Sequence, residues 1–310
     1  MNRKQIVLLS LIVLAFFTSS AQLSMRKEDK GILITDGNKK VLLYHTAPGN
    51  AGGPCTRCNF IHPLYGPNGG VLTEDAPADH PHHRGIFWGW HQIIINGEQI
   101  ADQWELDHFA QEIVEFEFMK QRSGNVILKT EVDWLSPRWK KDGVEVPYIR
   151  EFARMEVWPV VGNIRRIDFE IRLKALEEGI QLGGSDDEKG YGGFSVRMDL
   201  PDDVRFSGAN GKVEPKNTAV SSPGYVNISG GIGKNGEDGG IVIIDHKDNP
   251  GYPQSWILRS KGSMQNAAWP GRTPVDLKAT DPLVLKYSLL VYSGKLKTKK
   301  IHKIIDRCDL

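Results

Sequence analysis

The sequence lacks a long apolar run beyond its first 22 residues, so no later segment is expected to span a membrane. It lacks an excess of either charge. With 39 Lys and Arg against 38 Asp and Glu, the formal net charge is +1, and no basic field points to nucleic acid. It is short of cysteine, with Cys55, Cys58 and Cys308 alone. Cys55 and Cys58 form a Cys-x-x-Cys pair in a Gly/Pro loop, without the second ligand pair that a structural zinc site needs. The pair precedes a strand-like segment, whereas a thioredoxin-type pair opens a helix, so a local disulfide or two inert thiols is the expectation. Three catalytic signatures are also missing. No Gly-x-Ser-x-Gly elbow supports a serine nucleophile. No dinucleotide fingerprint follows a strand, and no Gly-Lys-Ser/Thr phosphate loop follows the glycines of 190–193.

What is present begins with a targeting segment. Arg3 and Lys4 precede an apolar run from Ile6 to Phe17, and Ser19-Ser20-Ala21 supplies small residues for cleavage. Residues 1–22 are therefore expected to be a signal peptide, and 23–310 one domain, soluble in a periplasm or secreted. The 33 glycines, 17 prolines and 8 tryptophans suit many turns between aromatic-rich strands.

Strand signals run through the chain. Gly31–Thr35 and Lys40–His45 flank Asp36-Gly37-Asn38, a hairpin turn. Glu112–Lys120 and Val126–Trp134 flank Ser123-Gly124-Asn125, and Tyr148–Val160 and Asn163–Ala175 flank Gly162. In that last segment Ile167, Phe169, Ile171 and Leu173 alternate with charged residues, the period of a half-buried antiparallel strand. Ile86–Ile95, Phe194–Leu200, Tyr225–Ile228, Gly240–His246, Ser255–Arg259 and Leu283–Ser293 are further candidates. Only Lys297–Cys308 has helical spacing, through Ile301, Ile304, Ile305 and Cys308. The expectation is an all-β fold, a large antiparallel β-sandwich with one C-terminal helix.

Six of the nine histidines lie between His62 and His108. The densest string is Asp79-His80-Pro81-His82-His83-Arg84-Gly85, followed by Trp88, Trp90 and His91. Clustered imidazoles repel when protonated, so such a string implies a partner: a carboxylate, an anionic substrate or a metal. Near neutral pH His82 or His83 would serve as acid or base, with Asp79, Asp187, Glu188 or Asp245 as carboxylate partners. Arg84 or Arg197 would clamp an anion. Trp88 and Trp90, two apart on a strand, would share one face and wall a sugar site. The expected catalytic set is His82, His83, Arg84, His91 and Asp79, with Trp88, Trp90, Tyr191, Arg197 and His246 binding substrate. No cofactor is expected. The alternative is a divalent metal ion on His80, His82 and His91, without a His-Glu-x-x-His pattern to support it.

The blocks His62-Pro63-Leu64-Tyr65-Gly66-Pro67, Leu72-Thr73 and Asp79–Gly85 resemble the signature of the PmoA-like family. Gly190–Phe194, Asp245-His246, Asn249-Pro250 and Trp269-Pro270 resemble its second-half blocks, so the resemblance covers about Gly31 to Ser293. It implies a β-sandwich of mutarotase-like shape in exported bacterial proteins, with an association to carbohydrate use. Many members carry the label methane oxygenase. The membrane methane monooxygenase subunit of similar name is an integral membrane protein, so the label is read as a transferred name and not as copper chemistry. The preferred function is acid–base processing of a sugar or glycoside by an epimerase, lyase or hydrolase. The partner would be a small-molecule or oligosaccharide substrate, with no nucleic acid and no stable membrane insertion. A non-catalytic sugar-binding protein is the other alternative.

Overall fold

A computed structural model describes residues 22–48, 56–262 and 264–310. The expected signal segment lies outside the described residues except for Gln22, and Cys55 lies outside them as well. Cys58 and Cys308 are free thiols, and burial pushes the Cys58 thiol up to about 12, so it stays protonated.

Two nine-stranded sheets and a four-stranded sheet carry the chain. The first large sheet runs Leu23–Glu28, Gly31–Asp36, Lys39–His45, Phe60–Leu64, Ile86–Trp90, Gly192–Arg197, Met264–Ala268, Ser255–Ile257 and Val220–Ser221. The second centres on Gly239–Asp245, Leu283–Ser293, Ile164–Ala175, Ile149–Val157 and Val126–Leu135, with Ala110–Lys120 at one edge. Its long ladders are antiparallel. The fold is thus a mostly β, sandwich-like arrangement with one C-terminal helix, Thr298–Cys308. No helix among the described residues is long and apolar enough to cross a membrane.

The alternation in Ile164–Ala175 does what its period requires. Ile167, Phe169, Ile171 and Leu173 enter one core with Trp88, Trp90 and Phe194 of the first sheet. The outward face of the second sheet takes the helix, through Ile301 against Tyr225, Val242, Leu290 and Tyr292. The stretch 86–95 is two strands and not one. It breaks at His91, and Gln92–Ile95 joins Ile180–Gly183 and Glu98–Ala101 in the small sheet.

A carboxyl sits between the two large sheets. Glu151, on the second sheet, is fully buried. It accepts hydrogen bonds from Asn59 Nδ2 (2.7 Å), Trp88 Nε1 (2.9 Å) and Trp134 Nε1 (3.0 Å). Burial outweighs these donors and pushes its pKa up to about 7. The folded chain therefore holds this proton to about pH 7, whereas the unfolded chain releases it near 4.5. Between those values the native state binds more protons, so this contribution is full below pH 4.5 and falls as pH rises to 7, by about 3 kcal/mol. Urea unfolding of wild type and Glu151→Gln at both ends of the window reads the difference. Their stability gap should move by that amount in favour of the variant; a gap that ignores pH would refute the assignment.

Candidate functional site

The site is built on the outward face of the first sheet. In Ile86–Trp90 the pleat sends Ile86, Trp88 and Trp90 into the inter-sheet core and Phe87 to the opposite side. Trp88 and Trp90 do share a face, as their spacing requires, but that face is the core. Trp90 is completely buried and donates from Nε1 to Trp269 O at 2.9 Å. The expectation that they wall a substrate site is corrected: the bulkiest apolar side chains of the strand fill the layer between sheets. On the outward side Phe60, Phe87, Trp104, Ile257, Met264 and Ala268 form a second apolar cluster, with Tyr191 packed on it.

The histidine string crosses this face as a tight loop. His83 N donates to His80 O at 3.0 Å, which places Pro81 at the first central position of the turn, where its fixed φ suits it. The turn stacks the His80 and His83 rings, 4.6 Å apart and nearly parallel, with His82 edge-on to both. Gly85 has φ +47°, and a β-carbon there would lie 2.0 Å from Ile61 O, so the glycine is required by a close backbone approach.

The structure changes the roles within the string. His83 is buried, and Arg197 Nη1 lies 3.4 Å from its Nδ1. Burial, then His82, His80 and Arg197, pushes its pKa down to about 2. His83 is a neutral imidazole at neutral pH, so of its expected acid-or-base role it does not hold the proton that an acid gives. Arg84 is also buried. It pairs with Asp75 through Nε and through Nη2 at 3.3 Å, and its guanidinium lies 4.4 Å from the Phe60 ring centre. Its charge is matched within the protein, which corrects the anion-clamp reading. Arg197 pairs with Glu74 at 2.7 Å and Asp79 at 3.3 Å, tying the loop to the sheet.

In and beside the string, His80, His82 and His91 face carboxylates through Nδ1. His80 lies 2.9 Å from Asp79, His82 3.2 Å from Glu105, and His91 2.9 Å from Asp102. Of the three contacts only His91 to Asp102 has hydrogen-bond geometry. Because a carboxylate only accepts, Nδ1 of His91 carries the proton and Nε2 presents a lone pair. Burial, then His80, Arg57 and His91, pushes His82 down to about 4. Burial raises Glu105. The His91 ring stacks on Trp104 at 5.4 Å, and Tyr191 lies 5.6 Å from Trp104 on the outer side. Arg259 Nη2 donates to Tyr191 Oη at 2.7 Å.

His80, His82 and His91, the alternative metal set, are thus each directed at a different carboxylate. Among the described residues no group of three or more His, Cys, Asp or Glu is arranged to hold a metal ion. His246 is not part of the assembly. Its Nε2 contacts Asp309 O at 3.0 Å, just past the C-terminal helix that covers the second sheet. Asp245 is buried and accepts from Asn249 Nδ2 (2.8 Å) and Gln254 N (2.9 Å), which shapes the 249–254 loop. That loop, Asp187–Gly190 and Trp269–Arg272 line a cavity of about 690 Å³. Asp187 and Glu188 belong there and not beside the histidines. Of the second-half blocks, Gly190, Pro250, Trp269 and Pro270 line this cavity, whereas Tyr191 packs by His91 and Trp104.

Asp102, Trp104, Glu105, Arg57 and Gln103 were not singled out by the sequence. One signal does lead to Asp102. Asn96-Gly97 is a hairpin turn, and Gln92–Ile95 pairs with Glu98–Ala101, so the residues flanking the hairpin, His91 and Asp102, return to each other. The turn after it is closed by Asp102 and Asp107, each N–H donating to the other's carbonyl at 2.9 Å.

Residues 32–306 match the model described as a family of unknown function (DUF6807), and the chain belongs to that family. No curated protein matches the chain.

Proposed function

We propose that this chain is a carbohydrate-active protein acting outside the cytoplasm, converting a sugar or glycoside by histidine–carboxylate acid–base chemistry. The observation that carries the reading is the His91–Asp102 hydrogen bond beside an aromatic wall. His91 Nε2 takes the proton and Asp102 holds the tautomer and stabilises the imidazolium that forms. Glu105, raised by burial and 3.2 Å from His82, is the group placed to return a proton. Trp104 is buried behind this pair, so Tyr191 is the ring offered to the apolar face of a sugar. The cavity lined by Gly190, the residue before Tyr191, is within the size range of small-molecule sites and would take the rest of the substrate. The PmoA-like resemblance, with its association to carbohydrate use, belongs to the same reading.

Tyr191→Ala should weaken sugar binding by about 1.4 kcal/mol, roughly tenfold, by titration calorimetry. Unchanged affinity would remove Tyr191 from the binding surface.

A metal-dependent reading is favoured by one feature. Imidazoles that bind metal usually hand their other nitrogen to a carboxylate, as His91 does here to Asp102. The deciding experiment is a turnover panel of glycosides and oxidised sugars, with elemental analysis of untagged mature protein. Turnover without stoichiometric metal supports acid–base chemistry. Turnover that follows one equivalent of metal supports the second reading. Sugar binding without turnover makes the protein a sugar-binding module, and neither binding nor turnover rejects the carbohydrate assignment.

A further inference from the structure

The C-terminal helix, Thr298–Cys308, turns charge of one sign to solvent. Its Ile301, Ile304 and Ile305 pack on the second sheet, with Leu296 and Leu310 beside them. Lys299, Lys303 and Arg307, each four residues apart, form a row on the opposite side, and all three are exposed. At the rise of an α-helix the row spans about 12 Å. Lys295, Lys297 and Lys300, also exposed, surround the start of the helix. Residues 295–310 thus hold six Lys and Arg against two Asp, in a chain whose formal net charge is only +1.

Little of this charge is met within the protein. Lys295 lies 3.7 Å from Asp238, and Lys300 Nζ reaches Asn163 Oδ1 at 3.5 Å. Among the described residues Lys297, Lys299, Lys303 and Arg307 have no ion-pair partner. Of the two carboxylates Asp309 is paired with Lys247, so Asp306 alone offsets the row. Like charges four apart on a helix repel, a cost that an anionic partner outside the protein removes. Five of the six cations are lysines, point charges on flexible stems without the planar fork that reads one phosphate bidentately. Such a row matches many anions spread in a plane better than one enclosed ion. The segment exposes no large apolar side chain, so the attraction is electrostatic and without insertion.

We propose that this helix docks the protein on an anionic phospholipid surface, with its lysines among the headgroup phosphates. Each Lys or Arg held near such a surface strengthens attachment about fivefold. The helix lies on the outward face of the second sheet and the histidine loop on the outward face of the first. Docking therefore leaves the candidate site turned away from the lipid and open to a dissolved substrate. The surface is independent of the carbohydrate reading, since it uses neither His91 nor Tyr191.

The test is cosedimentation of the whole mature protein, untagged, with vesicles of equal parts phosphatidylglycerol and phosphatidylcholine at low salt. Wild type should bind these and not vesicles of phosphatidylcholine alone. Salt at about 1 M, where the Debye length is about 3 Å, should release it. Lys299→Gln/Lys303→Gln should lower the partition coefficient about 25-fold without lowering Tm. Lys299→Arg/Lys303→Arg keeps both charges and should bind as wild type does. No binding to the anionic vesicles, equal binding to both lipids, a glutamine pair that binds as wild type does, or binding that survives the salt would each overturn the proposal. Dissolved alginate that strips wild type from the vesicles at equal charge concentration would overturn it too, and give the face to an acidic polysaccharide.

Discussion

Glu151→Ala is expected to lower folding stability by about 4 kcal/mol, read by urea unfolding at pH 6. Among the described residues the carboxyl is the only acceptor for three buried donors, Asn59 Nδ2, Trp88 Nε1 and Trp134 Nε1, and the two indoles come from the two large sheets. Truncation leaves all three without a partner and opens space among side chains that cannot collapse around it. The effect reaches beyond Glu151, because Asn59 Oδ1 accepts from Tyr44 Oη at 2.6 Å. Glu151→Gln keeps one oxygen for Asn59 and Trp88 but turns an amide N–H₂ toward Trp134, so it should cost less, about 1–2 kcal/mol. If alanine costs no more than glutamine, the carboxyl is not the tie between the sheets.

His91→Asn is expected to reduce turnover about 10³-fold on whichever sugar the wild type converts, with folding retained. The ring lies where the Ile86–Trp90 strand hands over to the small sheet, and its Nδ1–H is fixed on Asp102 at 2.9 Å. Asparagine fills part of the volume and offers no base at the Nε2 position. Asp102→Asn should act through the same atom. It favours the wrong tautomer of His91, with a ring N–H where the Nε2 lone pair is needed, so turnover should fall while folding is retained. A His82→Ala variant should retain more turnover than His91→Asn, since burial and its cationic neighbours hold His82 near pKa 4. Equal turnover in wild type and His91→Asn, with native unfolding curves for both, would remove His91 from the chemistry.

Local pattern was enough for the strands because their signal is local. The period of two from Ile167 to Leu173 states which side chains go inward, and the structure places those four in the core. The Asp36-Gly37-Asn38 turn, the Leu283–Ser293 strand and the terminal helix are likewise written in adjacent residues. The break in the 86–95 run falls at the polar pair His91-Gln92, which carries no turn signal, so only the choice between two sheets ends the strand at His91.

The site divides along the same line. Sequence by itself determined that His80, His82, His83 and His91 gather near Arg84, because all five lie within twelve residues, whereas only the paired strands bring Arg197 to them. It also determined that Trp88 and Trp90 share a face, but not which face, since a strand has two and only the packed second sheet selects one. Tertiary structure alone decided the charge states. His83 and Arg84 carry strong ionisable groups, yet burial makes one neutral and gives the other to Asp75. It alone set Asp102 on His91 and placed His246 by the C-terminal helix. The reason is physical. Pleat and turn geometry depend on neighbours in the chain, whereas desolvation and pairing depend on neighbours in space, and those are fixed only when the sheets close on each other.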